Sequence, residues 1–351
     1  MRIQQFSPII FLWTILGLPF HAFAQEVSYA PSVHGVIRGK YEYQPDIDSH
    51  RFEVRNARFN FSGLVGSPSL CYKAEIDLSD EGEIKMLDAY VNYKLFDLFT
   101  DTTKTKDSGR SLEFTIGQMR VPFTIDAKRS PNDQYFANRS FIGKQVGNVR
   151  DVGAMMTYRF YPEHPVILEG GFFNGSGLTN QKVWHKKLNF STKAQFFFAK
   201  NWNLTLSAQR TKPDSVRIQT YDAGIYYQDS HWHIEGEYLY KCYAENLYNK
   251  VHAVDAFVNY DLPLKRYFKK ISFLGRYDFM TDYSDGMKLS NGRLTTTDYA
   301  RQRLTGGITL SLGKPFQSDI RINYEKYFYQ ANGIPKESEQ DKFVVEFVMK
   351  F

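Results

Sequence analysis

Apolar and polar positions alternate along most of this chain, most plainly in its last twelve residues, QDKFVVEFVMKF. Phe343, Val345, Phe347, Met349 and Phe351 share one face of an extended segment, and Val344, Glu346, Val348 and Lys350 share the other. One face is wholly apolar and the other mixed, which predicts a strand with lipid on one side. The same period of two recurs upstream. Strands are expected near residues 32–43, 51–65, 70–78, 85–96 and 112–120. Others follow near 151–160, 166–174, 188–198, 202–210, 220–228, 231–241, 252–262, 271–280, 299–312, 319–329 and 340–351, about sixteen in all. In the second, apolar parity changes between Val54 and Ala57, which predicts a β-bulge near Asn56. In the fourth, Leu87, Ala89, Val91, Tyr93 and Leu95 are assigned outward.

The connections sort by parity. Tight turns at 161–165, 199–201, 229–230 and 313–317 fall on one side, and long connections at 121–150, 175–187, 281–298 and 330–339 on the other. That is the rhythm of an all-β, antiparallel up-and-down transmembrane barrel with both termini at the short-turn end. Turns at 100–110 and 263–270 are longer than this rule prefers, and no helix of convincing length interrupts the strands.

The start of the chain gives the compartment. Residues 1–24 combine Arg2, an apolar run from Pro8 to Phe20 and Ala22-Phe23-Ala24, the pattern of a cleaved export signal. Residues 25–351 then form one barrel domain. No stretch reaches the roughly 20 apolar residues of a spanning helix, so a membrane form must be a closed barrel. The chain is 42% hydrophobic, with 24 Tyr and 29 Phe, which suits strands that face lipid on one side and aromatic girdles at both interfaces. Its net charge of +6 is modest and names no partner. Two cysteines exclude a disulfide scaffold and a multi-cysteine metal site.

Seven short stretches resemble, in the right order, the phosphate-selective porin O and P family of Gram-negative outer membranes. They are RNARFNFSG at 55–63, YKAEIDL at 72–78, LDAYVNYK at 87–94, IGQMRVPF at 116–123, NRSF at 138–141, RDVG at 150–153 and GGFFNGSG at 170–177. A terminal aromatic on the last strand is also similar to the closing strand of such barrels. The resemblance implies a trimer of sixteen-stranded barrels in outer-membrane lipid, each with its own pore for phosphate or related small anions.

Residues 121–150 lack alternation for a length that is uncommon in a structureless connection. They form the third external connection, from which porins fold a loop into the lumen. From Arg120 to Arg150 the stretch holds Arg120, Lys128, Arg129, Arg139, Lys144 and Arg150 against Asp126 and Asp133. Guanidinium and ammonium groups can replace water lost by an oxyanion in a narrow passage. Candidate anion-binding residues are therefore Lys128, Arg129, Arg139, Lys144 and Arg150 in the constriction, with Arg38, Arg51, Arg55, Arg58 and Lys73 on the wall. Because Glu42, Glu53, Asp77, Asp88, Asp278, Asp319 and Glu325 share the inward face, many wall cations are expected in salt bridges, leaving the loop's excess to dominate selectivity.

Weakly selective diffusion, an adhesion barrel and a lipid-acting enzyme are the alternatives. No nucleophile elbow, P-loop or zinc motif appears, and no cofactor, metal, catalytic residue or nucleic-acid partner is expected. His231 and His233 are read as an exposed pair near a turn rather than a metal site.

Overall fold

A computed structural model describes residues 29–351 except 81–82, 98–108, 146–148, 162–163, 179–180, 212–215, 290, 314–316 and 331–335. The expected export signal lies outside the described residues. The strands are β1 (Ser32–Gln44), β2 (Ser49–Leu64), β3 (Leu70–Asp80), β4 (Glu83–Asp97), β5 (Arg110–Arg120), β6 (Arg150–Phe160), β7 (Val166–Phe173) and β8 (Asn189–Phe198). They continue as β9 (Trp202–Thr211), β10 (Ile218–Gln228), β11 (Trp232–Tyr243), β12 (Val251–Pro263), β13 (Phe268–Met280), β14 (Arg301–Leu312), β15 (Gln317–Tyr329) and β16 (Lys342–Lys350). Each pairs antiparallel with its chain neighbours, and β1 pairs with β16 to close the barrel. Every expected strand is present, with ends moved by a few residues at most.

Burial is inverted relative to a water-soluble fold. Phe343, Val345 and Phe347 of β16 are exposed while Lys342 and Glu346 are buried. Arg303, Glu325 and Glu346 are 0% exposed, whereas Phe52 is 83% exposed. The arrangement is stable when hydrocarbon covers the outside and the charged side chains find partners inside. No helix among the described residues is long and apolar enough to cross a membrane.

Two irregularities re-aim side chains. The β1–β2 register passes from Arg38↔Asn56 to Gly39↔Val54, so Arg55 is the extra residue of a bulge next to the position expected at Asn56. A second bulge corrects the reading of β4. The register passes from Glu75↔Asp88 to Ile76↔Met86, and Leu87 is buried rather than outward. Ile84 and Met86 take the exposed face instead. An apolar residue at the bulge fits either parity, so alternation alone could not reveal the shift. The connection after β12 is also shorter than expected, only residues 264–267, which removes one exception to the parity rule.

The closing seam depends on a small residue. Gly35 N–H donates to the Phe351 carbonyl at 2.8 Å and Phe351 N–H returns the bond at 3.2 Å. A Cβ on Gly35 would lie 2.3 Å from the Phe351 ring and 2.9 Å from the Arg58 carbonyl oxygen. Gly35→Val should therefore lower the yield of heat-modifiable, folded barrel, and so should deletion of Phe351. Wild-type yield from both variants would show that the seam tolerates disorder.

The connection between β5 and β6 runs inside the barrel. Its backbone and side chains bond to inward residues of β1, β9, β11, β13, β14 and β15, around most of the wall. Its apolar residues Val121, Phe123, Phe141 and Ile142 pack on Ile218, Leu239, Val251, Ala253 and Met280. These inward positions are apolar where a barrel lumen is ordinarily polar. The core they form holds the loop against β10–β13 toward the long-loop end, and leaves the polar interior toward β1–β4 and β14–β16.

Candidate ion pathway

The loop is fixed residue by residue. Near its start, Thr124 N–H donates to Ser207 Oγ at 3.1 Å and Ile125 N–H to Glu237 Oε1 at 2.5 Å. Asp126 accepts from the Ser140 N–H at 3.2 Å and the Ser140 hydroxyl at 2.9 Å, tying the two limbs of the loop together. A single 3-10 turn, Pro131–Asp133, follows the capping Ser130. The far limb then reaches the opposite wall. Ala137 N–H donates to Asn323 Oδ1 at 3.1 Å, and Arg38 donates to Gln134 Oε1 at 2.5 Å and to the Ala137 carbonyl at 3.0 Å. Arg276 lies 4.3 Å from the centre of the Phe136 ring, and Arg301 and Arg303 lie 4.4 and 4.9 Å from that of Phe141. A short helix α1 (Phe141–Gln145) starts the return to β6.

This placement leaves basic chambers on both sides. At the long-loop end a space of about 830 Å3 is lined by Lys40, Arg51, Arg55, Arg139, Lys144 and Lys342, with Glu53 as its acid. At the short-turn end one of about 620 Å3 is lined by Lys128, Arg129, Lys193, Lys270, Arg321 and Lys350, with Asp133 and Asp319. A third, of about 480 Å3, holds Lys73, Lys94, Arg120, Lys128 and Arg159 and shares Lys128 with the second.

The ten candidate cations divide accordingly. Arg51, Arg55, Arg139 and Lys144 line the first chamber, Lys128 and Arg129 the second, and Lys73 the third. Arg38 and Arg150 are buried in the wall, and the half-buried Arg58 shares Glu75 with Arg150. The expected contrast between free loop cations and paired wall cations does not hold. Lys128 meets Glu169 at 2.7 Å, Arg129 meets Glu235 at 2.5 Å, and Lys144 meets Glu339 at 2.5 Å. Arg139 stands 3.9 Å from Asp126 and bonds to the carbonyls of Asp126 and Arg129. On the wall, Arg38 pairs with Glu346 at 2.7 Å, Arg58 with Asp77 at 2.7 Å and Lys73 with Asp88 at 2.8 Å. Arg150 bridges Asp88 at 2.5 Å and Glu75 at 2.8 Å; Arg51 pairs with Glu42, and Arg55 with Glu53 at 3.4 Å. The loop sits against acids of other elements, so Lys128, Arg129 and Lys144 each find one, while Arg139 has Asp126 within the loop.

Asymmetry in access survives the pairing. The side chains of Arg51 and Lys144 are 54% and 38% exposed while their partners Glu42 and Glu339 are 5% and 6%, and Arg55 is 44% exposed against 27% for Glu53. Within the loop, burial would raise the Asp126 carboxyl, but Arg139 and Arg129 hold it below the ordinary carboxylate range. Burial lowers the Lys144 ammonium and the Arg139 guanidinium, with Glu339 and Asp126 opposing.

Sequence reasoning missed Lys193 and undervalued Arg120. Among the described residues neither has a carboxylate at ion-pair distance. Lys193 donates to the Thr124 carbonyl at 3.1 Å and Arg120 to the carbonyls of Ala127 and Arg129 at 3.1 and 3.3 Å. Inward parity on β8 is the signal that could have found Lys193. His233 corrects another reading. It is buried in the wall, bonded to Glu235 at 2.8 Å and stacked on Tyr135 and Tyr226, whereas His231 is exposed.

A closed sixteen-stranded barrel with a loop packed inside it and charged chambers on either side defines an outer-membrane porin. The family described as phosphate-selective porin O and P matches residues 35–191, in keeping with the seven stretches read from the sequence. Among solved structures, the outer membrane channel DcaP of Acinetobacter baumannii is 12% identical with a TM-score of 0.59, covering 92% of this chain and 97% of that one. An anion-selective porin from Comamonas acidovorans is 9% identical at 0.58, covering 92% and 98%. OmpT, an outer membrane protein of Vibrio cholerae in its trimer form, is 12% identical at 0.58, covering 92% and 99%. At these identities the likeness is one of fold. A comparison by sequence with curated proteins finds no match. The chain is a channel-forming β-barrel of the Gram-negative outer membrane.

Proposed function

We propose that this porin passes small anions in preference to cations, with phosphate and related oxyanions as the solutes its chambers suit. The observation that supports this is the inward layering of charge. Cation heads line both chambers while the carboxylate partners of Arg51 and Lys144 lie buried behind them, so a passing ion meets the positive end of those pairs. On this reading Arg51, Arg55, Arg139 and Lys144 receive the anion from outside, and Lys128, Arg129 and Lys193 pass it on. Arg38 holds the loop through Gln134 and Ala137, and Arg58, Lys73 and Arg150, paired with wall acids, set the field. The names of the matched family and of the Comamonas neighbour agree with such a preference, and the trimer form of the Vibrio neighbour supports a homotrimer.

The near-complete pairing of cations favours a second reading, a general porin of weak selectivity. Phosphate added to a planar bilayer carrying chloride current separates the two. Saturable block, weakened by Arg139→Gln and Lys144→Gln together, supports oxyanion binding. A current that changes only in proportion to the ion mixture supports the weakly selective pore.

A further inference from the structure

Behind the first limb of the loop, Glu235 and Glu237 of β11 face inward with Asp255 of β12, and Glu237 and Asp255 are direct cross-strand partners. All three are 2% exposed, and one carboxylate oxygen from each lies within 4.8 Å of the other two. Each also keeps an oxygen without any hydrogen-bond partner: Glu235 Oε1, Glu237 Oε2 and Asp255 Oδ1. Asp222 of β10, also buried, lies within hydrogen-bond range of Glu237 and adds a fourth carboxyl to the group. The other bonds are few. Glu235 Oε2 accepts from Arg129 at 2.5 Å and pairs with His233 Nε2 at 2.8 Å, and Glu237 Oε1 accepts from Ile125 N–H. Arg276 stands 3.9 Å from Asp255 because it is drawn to Asp278 at 2.9 Å. No described cation comes within hydrogen-bond distance of Glu237 or Asp255.

Buried carboxylate oxygens left unpartnered are costly and call for a ligand. Arg129 offsets one of the charges, and Arg276, 3.9 Å from Asp255, is shared with Asp278, so the group stays negative. An all-oxygen, negatively charged site suits a hard divalent cation, and oxygens about 2.3–2.6 Å from one calcium ion lie within about 5 Å of each other. We propose that Glu235, Glu237 and Asp255 hold a hard divalent cation, calcium before magnesium, which ties the β11–β12 wall to the start of the loop. Glu237 would then hold both the ion and the Ile125 amide, and Glu235 both the ion and Arg129. The ion fixes the loop in place and removes a negative patch from the wall of an otherwise basic interior.

The test uses the full-length folded barrel in detergent, stripped with EDTA and titrated with calcium chloride in a calorimeter. One saturable calcium per chain is expected, with a rise in the temperature at which the barrel loses its heat-modifiable form. Asp255→Asn should weaken binding at least tenfold, Glu237→Gln likewise, and Glu53→Gln in the other chamber should leave it unchanged. Gel mobility before heating shows which variants are folded, and the wild-type titration stands without them. Absence of saturable uptake by the wild type, as when protons alone neutralise these carboxyls, would overturn the proposal. So would wild-type affinity in a folded Asp255→Asn or Glu237→Gln.

Discussion

Replacing Arg303 with alanine should loosen the loop and destabilise the barrel by about 3–5 kcal/mol, the usual cost of removing one partner from a buried ion network. Arg303 is 0% exposed and joins three strands to the loop. Its Nε and Nη2 donate to Asp278 Oδ2 at 3.0 and 2.8 Å, and Nη1 lies 3.4 Å from Glu325 and 3.3 Å from the Tyr327 hydroxyl. Nη2 also donates to the Arg139 carbonyl at 2.8 Å, and the guanidinium covers the Phe141 ring. Alanine leaves Asp278 with Arg276 and the Phe141 N–H, and takes a donor from the Arg139 carbonyl and a cation from the Phe141 ring on the loop's far limb. The expected readouts are a lower temperature of heat modification and a larger, noisier single-channel current. Arg303→Lys should fall between, because an ammonium cannot fork to the same set of acceptors. Wild-type conductance and stability in the alanine variant would mean that the apolar core, not this network, fixes the loop.

The second large effect is on selectivity. Arg51→Glu with Arg55→Glu places two carboxylates in a chamber whose acid is Glu53 and whose Glu42 then lacks Arg51. Two charges about 4 Å apart in water interact by about 1 kcal/mol, so the two reversals together should cut the anion-to-cation permeability ratio by roughly fivefold or more at low salt. Near 1 M salt, where the screening length is about 3 Å, most of the change should vanish. Lys265→Glu with Arg266→Glu, on the exposed turn after β12, should do little at either salt. Equal shifts from the two pairs would mean that net charge, not the chamber, governs the current.

The barrel was legible in the sequence because lipid on one face enforces strict alternation, and a shift of register would turn every apolar side chain the wrong way. The bulge at Arg55 showed as a parity break between Val54 and Ala57. The one at Leu87 did not, because the residue displaced inward is itself apolar. The loop's existence was readable from its lost alternation, but its docking was not. Phe123, Phe141 and Ile142 bury against Ile218, Leu239 and Val251, strands apart in the chain, and nothing local marks those inward positions as a receptor. The freedom of each cation was illegible for a related reason. Lys144 and Glu339, or Arg129 and Glu235, are partners only because the barrel closes and the loop folds back inside it. Charge excess counted along the loop therefore overstated its field, and Lys193, alone on β8, went unnoticed.

With the Arg51 and Lys144 heads exposed and their acids buried, chloride should pass ahead of potassium. A planar-bilayer recording of the purified wild-type protein in a potassium chloride gradient tests it in one reading of the zero-current potential. The expected potential has the sign of chloride as the more permeant ion and is largest at low salt. A potential with the sign of potassium, or a barrel that conducts nothing, would contradict it.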